Sequence, residues 1–359
     1  MDTNLKILII GAGPTGLTAA LEFARNGIIP EIVEKRTEPS EISRAVGIMP
    51  ESIEKLRSTG VGDTILKEGM AFGKIKMHRG NKLLMSLDFS KLLERKDRVI
   101  GLPQNRTETI MREALEKLGA KVKYGCTVID VETSDKQATV TFSDNKSQSY
   151  DWVIGADGIE STVRMKLGIP YLGYDLSEIW SIADVELKGG YDPELISAWI
   201  QEENNGDFIL VIPIELNRVR IVSSTPDCLK SLPINLDIQK IRRTGTFKIS
   251  IRQAETYLQG RVLLAGDAAH CHSPVGGRGM NLGIDDAIAA VNSILDEKPF
   301  EYTEKRHKIG ARVLKKSEKA RKAVTSNNFF VIAFYGVALK LVHHIGFAQR
   351  AFRRDMTRL

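Results

Sequence analysis

Cysteine is scarce in this chain of 359 residues: Cys126, Cys228 and Cys271 stand far apart, with no Cys-x-x-Cys or Cys-x-x-x-His spacing, and the His270-Cys271-His272 run lacks a carboxylate ligand nearby. That argues against a disulfide-stapled fold, a structural zinc site or a dithiol redox centre; no metal is expected, and a reducing, cytoplasmic setting is. Long apolar runs are missing too. The N-terminus passes from Met1, Asp2, Thr3 and Asn4 straight into Leu5–Ile10, without the basic region and small-residue cleavage site of a secretory leader. Near the other end Phe329–Leu339 is apolar, but Lys340, His343 and His344 interrupt it, short of the roughly 20 residues that cross a bilayer. This tail, 326–359, is expected to be helical and to pack on the body or make a weak peripheral membrane contact. Internal repeats and low-complexity segments are also lacking, which argues against a repeat array.

The composition is that of a globular protein, 42% hydrophobic and 27% charged, enough to bury the cores of one large or two ordinary domains. The net charge of +6 is concentrated late, from Lys305, Arg306, Lys308, Arg312, Lys315, Lys316, Lys319, Arg321 and Lys322 to Arg350, Arg353, Arg354 and Arg358. No nucleic-acid motif accompanies it, so no nucleic-acid partner is expected; the run reads as a solvated helical face, with a basic helix that steers acidic substrate or rests on a membrane surface as the alternative. Nothing in the sequence fixes an oligomeric state.

Element order points to an α/β protein. The apolar run Lys6–Ile10, a helix-like stretch from Gly16 to Asn26 and a second run, Pro30–Glu34, make a βαβ unit, the smallest arrangement in which parallel strands are covered by a helix. Helices are expected from Pro50 to about Thr59, from Gln104 to Leu118 and over 279–294. Strands are expected near 121–124, 128–133, 137–142 and 152–154. Short alternating strands over 72–100 and 178–225, including Ala198–Ile200, Phe208–Ile212 and Val219–Val222, read as an antiparallel block set inside the βαβ pattern, which returns at Val262–Ala265. The expected organisation is a discontinuous Rossmann-like domain (1–71, 98–175 and 256–325), an inserted, mostly antiparallel β-sheet domain (72–97 and 176–255) and the C-terminal helical tail.

Three motifs carry chemistry. Gly11-Ala12-Gly13-Pro14-Thr15-Gly16 is a GxGxxG at a strand-to-helix turn: Gly11 permits the turn, Gly13 lets the backbone approach a pyrophosphate, Gly16 lets helix and strand pack closely, and the helix start offers N–H groups. Glu34, 18 residues beyond Gly16 at the end of the second strand, is placed to accept ribose hydroxyls; Lys35 and Arg36 follow it. The second motif runs from Arg261 through Gly266-Asp267-Ala268-Ala269-His270 to Ser273-Pro274-Val275-Gly276-Gly277-Arg278-Gly279-Met280-Asn281-Leu282. Its Asp267 can bond a polyol, and the glycine-dense loop and the helix start at Gly279, Met280 and Asn281 can offer N–H groups to an electron-rich ring edge. The third, Trp152–Gly158 with Asp157-Gly158, then Ser161 and Arg164, is on its own no more than a strand-to-helix turn.

Together, in this order, these motifs resemble the flavoprotein aromatic hydroxylases of the para-hydroxybenzoate hydroxylase fold, from Lys6 to about Ala290. The resemblance implies that Gly11, Gly13, Pro14, Thr15 and Gly16 bind the FAD pyrophosphate, that Glu34 binds the adenosine ribose and that Asp267 holds the ribitol. It places Asp157 in FAD and NAD(P)H binding, Arg44 (Ser43-Arg44-Ala45) near the flavin and Gln104 (Pro103-Gln104-Asn105-Arg106) near the phosphates, with Arg106 as a further phosphate candidate. It also implies that Pro274, Gly276 and Gly277 shape the pocket beside the flavin. No catalytic side chain is assigned, because the flavin carries the chemistry. The implied reaction takes electrons from NAD(P)H and inserts one atom of O2 into a small aromatic substrate, phenolic or polycyclic, through a flavin C4a-hydroperoxide. A flavin-dependent reductase of the isoprenoid-saturating type and a non-catalytic flavin sensor remain alternatives. Cys271 reads as a small packed thiol, against a redox or covalent-flavin role. Trp199, Phe208 and Arg220 lie on strands that could face the flavin, with core packing as the competing role of the aromatics.

Overall fold

The computed structural model describes residues 5–40, 45–201, 207–274 and 276–324. Arg44, Val275 and the tail 326–359, with its expected membrane contact, therefore lie outside the described residues. Among those described, no helix is long and apolar enough to cross a membrane.

Two sheets dominate. The first has six strands in the order Leu258–Gln259, Val262–Leu264, Trp152–Gly155, Ile7–Ile10, Glu31–Glu34, Val122–Tyr124, parallel except for the first pair. Its central strands, Ile-Leu-Ile-Ile and Trp-Val-Ile-Gly, are buried throughout, as a parallel sheet covered on both faces requires. Its principal helices are α1 (Pro14–Arg25), α4 (Gln104–Lys117) and α6 (Gly279–Leu295); α2 (Pro50–Lys55), α3 (Val61–Glu68) and α5 (Thr162–Lys166) are short, and α7 (Pro299–Val324) is long. Pro14 opens α1 at a position where a missing N–H costs nothing, and Leu17, Ala19, Ala20, Leu21 and Phe23 bury its inner face.

The second sheet has eight strands, ordered His270–Cys271, Ile238–Ala254, Tyr171–Leu187, Arg218–Ser223, Phe208–Glu215, Leu195–Ile200, Lys74–Arg79, Lys82–Asp88. All neighbours are antiparallel except Leu195–Ile200 with Lys74–Arg79. Alternate residues point to opposite faces and feed separate cores: Ala183, Val185, Trp199, Ile209 and Val211 on one, Ala198, Ile200 and Phe208 on the other. Trp199 stacks on His78 with ring centroids 5.3 Å apart, and Phe208 packs on Trp180; both aromatics take the core role.

The expected α/β class with an inserted antiparallel sheet is what is found. Some elements differ. The helix expected from Pro50 to Thr59 breaks after Lys55 into a 3-10 turn, Arg57–Thr59, and α3 follows a left-handed Gly60. The basic run of α7 is not uniformly solvated: Lys305, Lys308, Arg312, Lys315, Lys316, Lys319 and Lys322 are exposed, whereas Arg306 and Arg321 turn inward. Burial of a cation needs an anion, and the partners are Asp286 and Glu318.

Candidate functional site

The three motifs end three adjacent parallel strands, Val262–Leu264, Trp152–Gly155 and Ile7–Ile10, at their C-terminal edge, where open α/β sheets bind ligands. They touch through backbone. Gly11 has φ +104°, and a Cβ on it would lie 2.4 Å from the carbonyl oxygen of Ala156 in the third motif. A Cβ on Gly266 would lie 2.5 Å from Thr15 Oγ1, and one on Gly283 of α6 2.3 Å from the same atom. Thr15 therefore sits in a notch made by two glycines, which brings the start of α1, the Gly-Asp turn and α6 into van der Waals contact.

Glu34 folds back onto the glycine turn. Its Oε2 accepts from the Ala12 N–H at 2.9 Å, and its Oε1 from the Arg36 N–H and Nε at 3.1 and 3.0 Å. Burial pulls the Glu34 pKa up, but Arg36 and the two N–H groups outweigh it and hold the group below its ordinary value, as a carboxylate. Lys35 beside it is exposed. Gln104, at the start of α4, accepts from the Ala45 N–H at 3.1 Å and donates to Glu108 at 2.8 Å, so it braces the segment that follows Arg44. Arg106 is engaged elsewhere: its guanidinium grips Glu68 of α3 through two bonds, at 2.7 and 2.8 Å, the surface ion pair that competed with a phosphate role.

Asp157 accepts from the Val163 N–H at 3.2 Å, while its Oδ1 is buried without a hydrogen-bond partner among the described residues; burial raises its pKa. Asp267 is exposed. Around it the backbone of the Gly-Asp turn is pinned: Tyr171 donates to the Asp267 carbonyl at 2.9 Å, and Arg164, stacked over the Tyr171 ring, donates to the Ala268 carbonyl at 2.9 Å. Pro274, Gly276 and Gly277 lie exposed in a turn closed by the Gly277 N–H on the Pro274 carbonyl, with φ +98° and +62° at the glycines. Asn281 spends its side chain inside the protein, accepting from the Met49 N–H and donating to the carbonyls of Gly47 and Gly277. Any bond from this helix start to a ligand therefore comes from backbone N–H groups, since α6, like α1, has no side-chain cap. Cys271 lies in the strand paired with Ile238–Ala254, half-buried.

These residues fit a dinucleotide. A Cβ on Gly13 would meet nothing within 4 Å, and Gly13 is extended at φ −77° and ψ −178°, open to any residue. The fold does not demand glycine there; a ligand approaching the backbone would. Beside that open space lie the uncapped start of α1 and the anionic Glu34, the donors and acceptor that pyrophosphate and ribose need.

Sequence reading gave His270 and His272, which flank Cys271, no more than a place in loop packing, and it missed Asp286 and Arg306 under the Gly-Asp turn. The Nδ1 of His272 must be the donor in its 2.9 Å bond to the Ser273 carbonyl, which leaves Nε2 a buried acceptor with no partner among the described residues. Burial pushes the pKa of His272 down to about 4. A histidine neutral in the fold and protonated when unfolded costs stability as pH falls from its unfolded value near 6.5 to about 4. Urea midpoints are therefore expected to decline over that window in the wild type and to decline less in His272→Asn, which keeps the donor; equal slopes would refute the assignment.

Comparison with known proteins agrees with this architecture. The family model described as FAD binding domain matches residues 4–317. The rifampicin monooxygenase of Streptomyces venezuelae is 30% identical over 335 residues, 86% of this chain and 69% of that one. The pentachlorophenol 4-monooxygenase of Sphingobium chlorophenolicum is 30% identical over 311 residues, 80% of this chain and 57% of that one. Among solved structures, the anhydrotetracycline hydroxylase OxyS of Streptomyces rimosus superposes with a TM-score of 0.78 at 26% identity, covering 98% of this chain and 75% of that one. The p-nitrophenol 4-monooxygenase PnpA of Pseudomonas putida DLL-E4 shares the fold, with a TM-score of 0.84 at 22% identity over the whole of both chains. The chain belongs to the FAD binding domain family and is an FAD-dependent monooxygenase of the aromatic-hydroxylase fold.

Proposed function

We propose that this chain takes electrons from NADH or NADPH and inserts one oxygen atom of O2 into a small aromatic substrate, phenolic or polycyclic, by the flavin C4a-hydroperoxide route. The observation that carries the reading is the convergence of Gly13, Glu34, Asp267 and the start of α6 on one edge of the parallel sheet, beside the antiparallel sheet. FAD, when bound, supplies the redox and oxygen chemistry. On this reading the protein supplies position: N–H groups of α1 to the pyrophosphate, Glu34 to the adenosine ribose, Asp267 to the ribitol, and N–H groups of α6 to the ring edge. The Pro274–Gly277 turn forms the pocket wall, and the antiparallel sheet gives the substrate a face sheltered from water. Relatives named for pentachlorophenol and anhydrotetracycline support the substrate class.

The test follows the visible spectrum of the holoenzyme through anaerobic titration with NADH and NADPH, then air, with and without a panel of phenols. Flavin bands bleached by a nicotinamide nucleotide, with substrate-stimulated NAD(P)H oxidation, O2 uptake and a hydroxylated product, are expected. Reduction without oxygenated product from any phenol or polycycle would sink the proposal.

A further inference from the structure

A buried carboxylate that belongs to none of the three motifs lies directly beneath the Gly-Asp turn. Asp286, inside α6, is fully buried and accepts three hydrogen bonds: from the Gly266 N–H at 3.2 Å, from His270 Nε2 at 2.5 Å and from Arg306 Nε at 2.6 Å. The first two donors bracket Asp267, one residue before it and three after. A carboxylate only accepts here, so the hydrogen of the His270 contact is on Nε2. The third donor comes from α7, and Arg306 also reaches the Leu282 carbonyl of α6. Two further contacts press α7 into place: the Tyr302 hydroxyl donates to the Leu264 carbonyl at the end of the strand that feeds the turn, and Gly310 lies where a Cβ would be 2.6 Å from the Tyr257 hydroxyl.

Burial raises the pKa of Asp286, but His270 and Arg306 overcome it and hold the group below its ordinary value. Without these donors a buried carboxylate would be untenable. With Tyr171 and Arg164 on the carbonyls of Asp267 and Ala268, the turn is fixed at four points while the Asp267 side chain faces outward. A ligand group held in advance by such a supporting layer binds more tightly, because its ordering cost is met in the fold.

We propose that Asp286, braced by Arg306, is a positioning residue for FAD: it sets the Gly266–His270 turn so that Asp267 meets the ribitol, and it makes FAD affinity depend on the docking of α7. The inference rests on the reading of Asp267 as an FAD ligand, so the two are tested side by side. The holoenzyme is diluted and the rise of free-flavin fluorescence gives the FAD dissociation constant, with far-UV circular dichroism as the check on folding. Asp267→Ala is expected to lose FAD while remaining folded. Asp286→Asn and Arg306→Gln are expected to weaken FAD by about ten- to a hundredfold, the factor by which a hydrogen bond to a charged group is felt; a purely structural role would lower the melting temperature and leave the affinity of the folded protein unchanged. His270→Gln, which keeps an N–H donor, is expected to recover most of the affinity that His270→Ala loses, and this pair decides the matter if Asp286→Asn does not fold. Normal flavin content in Asp267→Ala would overturn the reading of the Gly-Asp motif. Loss in Asp267→Ala together with wild-type affinity in folded Asp286→Asn, or in His270→Ala, would overturn the positioning role alone.

Discussion

Gly13→Ala is expected to yield a folded, stable protein that purifies without FAD, and Gly16→Ala a protein whose fold itself is compromised. Both glycines stand in one hexapeptide, yet their surroundings differ. A Cβ on Gly13 enters open space, so alanine there strains nothing in the protein and obstructs only what comes to the backbone from outside. A Cβ on Gly16 would lie 1.8 Å from the Gly11 carbonyl oxygen and 3.4 Å from Ile9 Cγ2. The clashing atom is backbone at the end of a central strand and cannot swing aside, so α1 must lift from the sheet. Overpacking of a well-packed interior costs about 1–3 kcal/mol and occasionally more, and with backbone as the obstacle the upper end is expected. Urea unfolding and the ratio of visible to ultraviolet absorbance of the purified variants separate the cases. Unaltered FAD in Gly13→Ala would remove the pyrophosphate from this turn, and wild-type stability in Gly16→Ala would mean that α1 docks differently from the arrangement described.

The sequence could disclose the glycine turn because its physics is local: a strand, a tight turn and a helix start all fall between Ile7 and Gly16, with Glu34 18 residues further on, and each glycine has a backbone reason to be there. Strand Val128–Thr133 and helix Gln104–Lys117 were legible for the same reason, since their patterns repeat over their own length. The long strands Tyr171–Leu187 and Ile238–Ala254 were not anticipated at their true extent. They pair mainly with each other, and the first half of each is largely exposed; in Ile-Gln-Lys-Ile-Arg-Arg-Thr-Gly-Thr the apolar alternation that marks a strand is therefore lost. The support under Asp267 was illegible for another reason. Asp286, His270 and Arg306 come from α6, a two-residue strand and α7, and only the tertiary fold makes one cluster of them. Arg306 in particular sits in a run of lysines and arginines whose other members mostly face solvent, and charge alone does not reveal which of them turns inward.

Breaking the buried ion pair of the antiparallel sheet is expected to have the other large effect. Asp184 and Arg220 are direct cross-strand partners, both buried, joined by two bonds, Nε to Oδ1 at 2.7 Å and Nη2 to Oδ2 at 2.8 Å. Arg220 Nη1 also approaches the Ala45 carbonyl at 3.4 Å, and the Ala45 N–H is held by Gln104 of α4, so the pair ties the antiparallel sheet to the nucleotide-binding half. Arg220→Met leaves Asp184 in the interior without its main cation, a change that costs about 3–5 kcal/mol. Arg218, 3.9 Å from Asp184, is too distant to replace Arg220 there, and Asp184→Asn should be costly for the converse reason, since it removes the anion that Arg220 grips. The double substitution Asp184→Leu with Arg220→Met removes both charges at once. It is expected to be much less destabilised than the sum of the single losses, because most of each loss is the desolvation of a stranded charge rather than the worth of the pair. Urea unfolding of the single and double variants measures that coupling. Additive losses would mean that the cost is packing, and that the electrostatic link between the sheet and the segment following Arg44 carries no weight. Strong coupling, with the double variant folded but bound FAD held less firmly, would mean that the pair is kept for the geometry it imposes across the two halves, a role in which charges can outperform an apolar pair that would stabilise the sheet equally well.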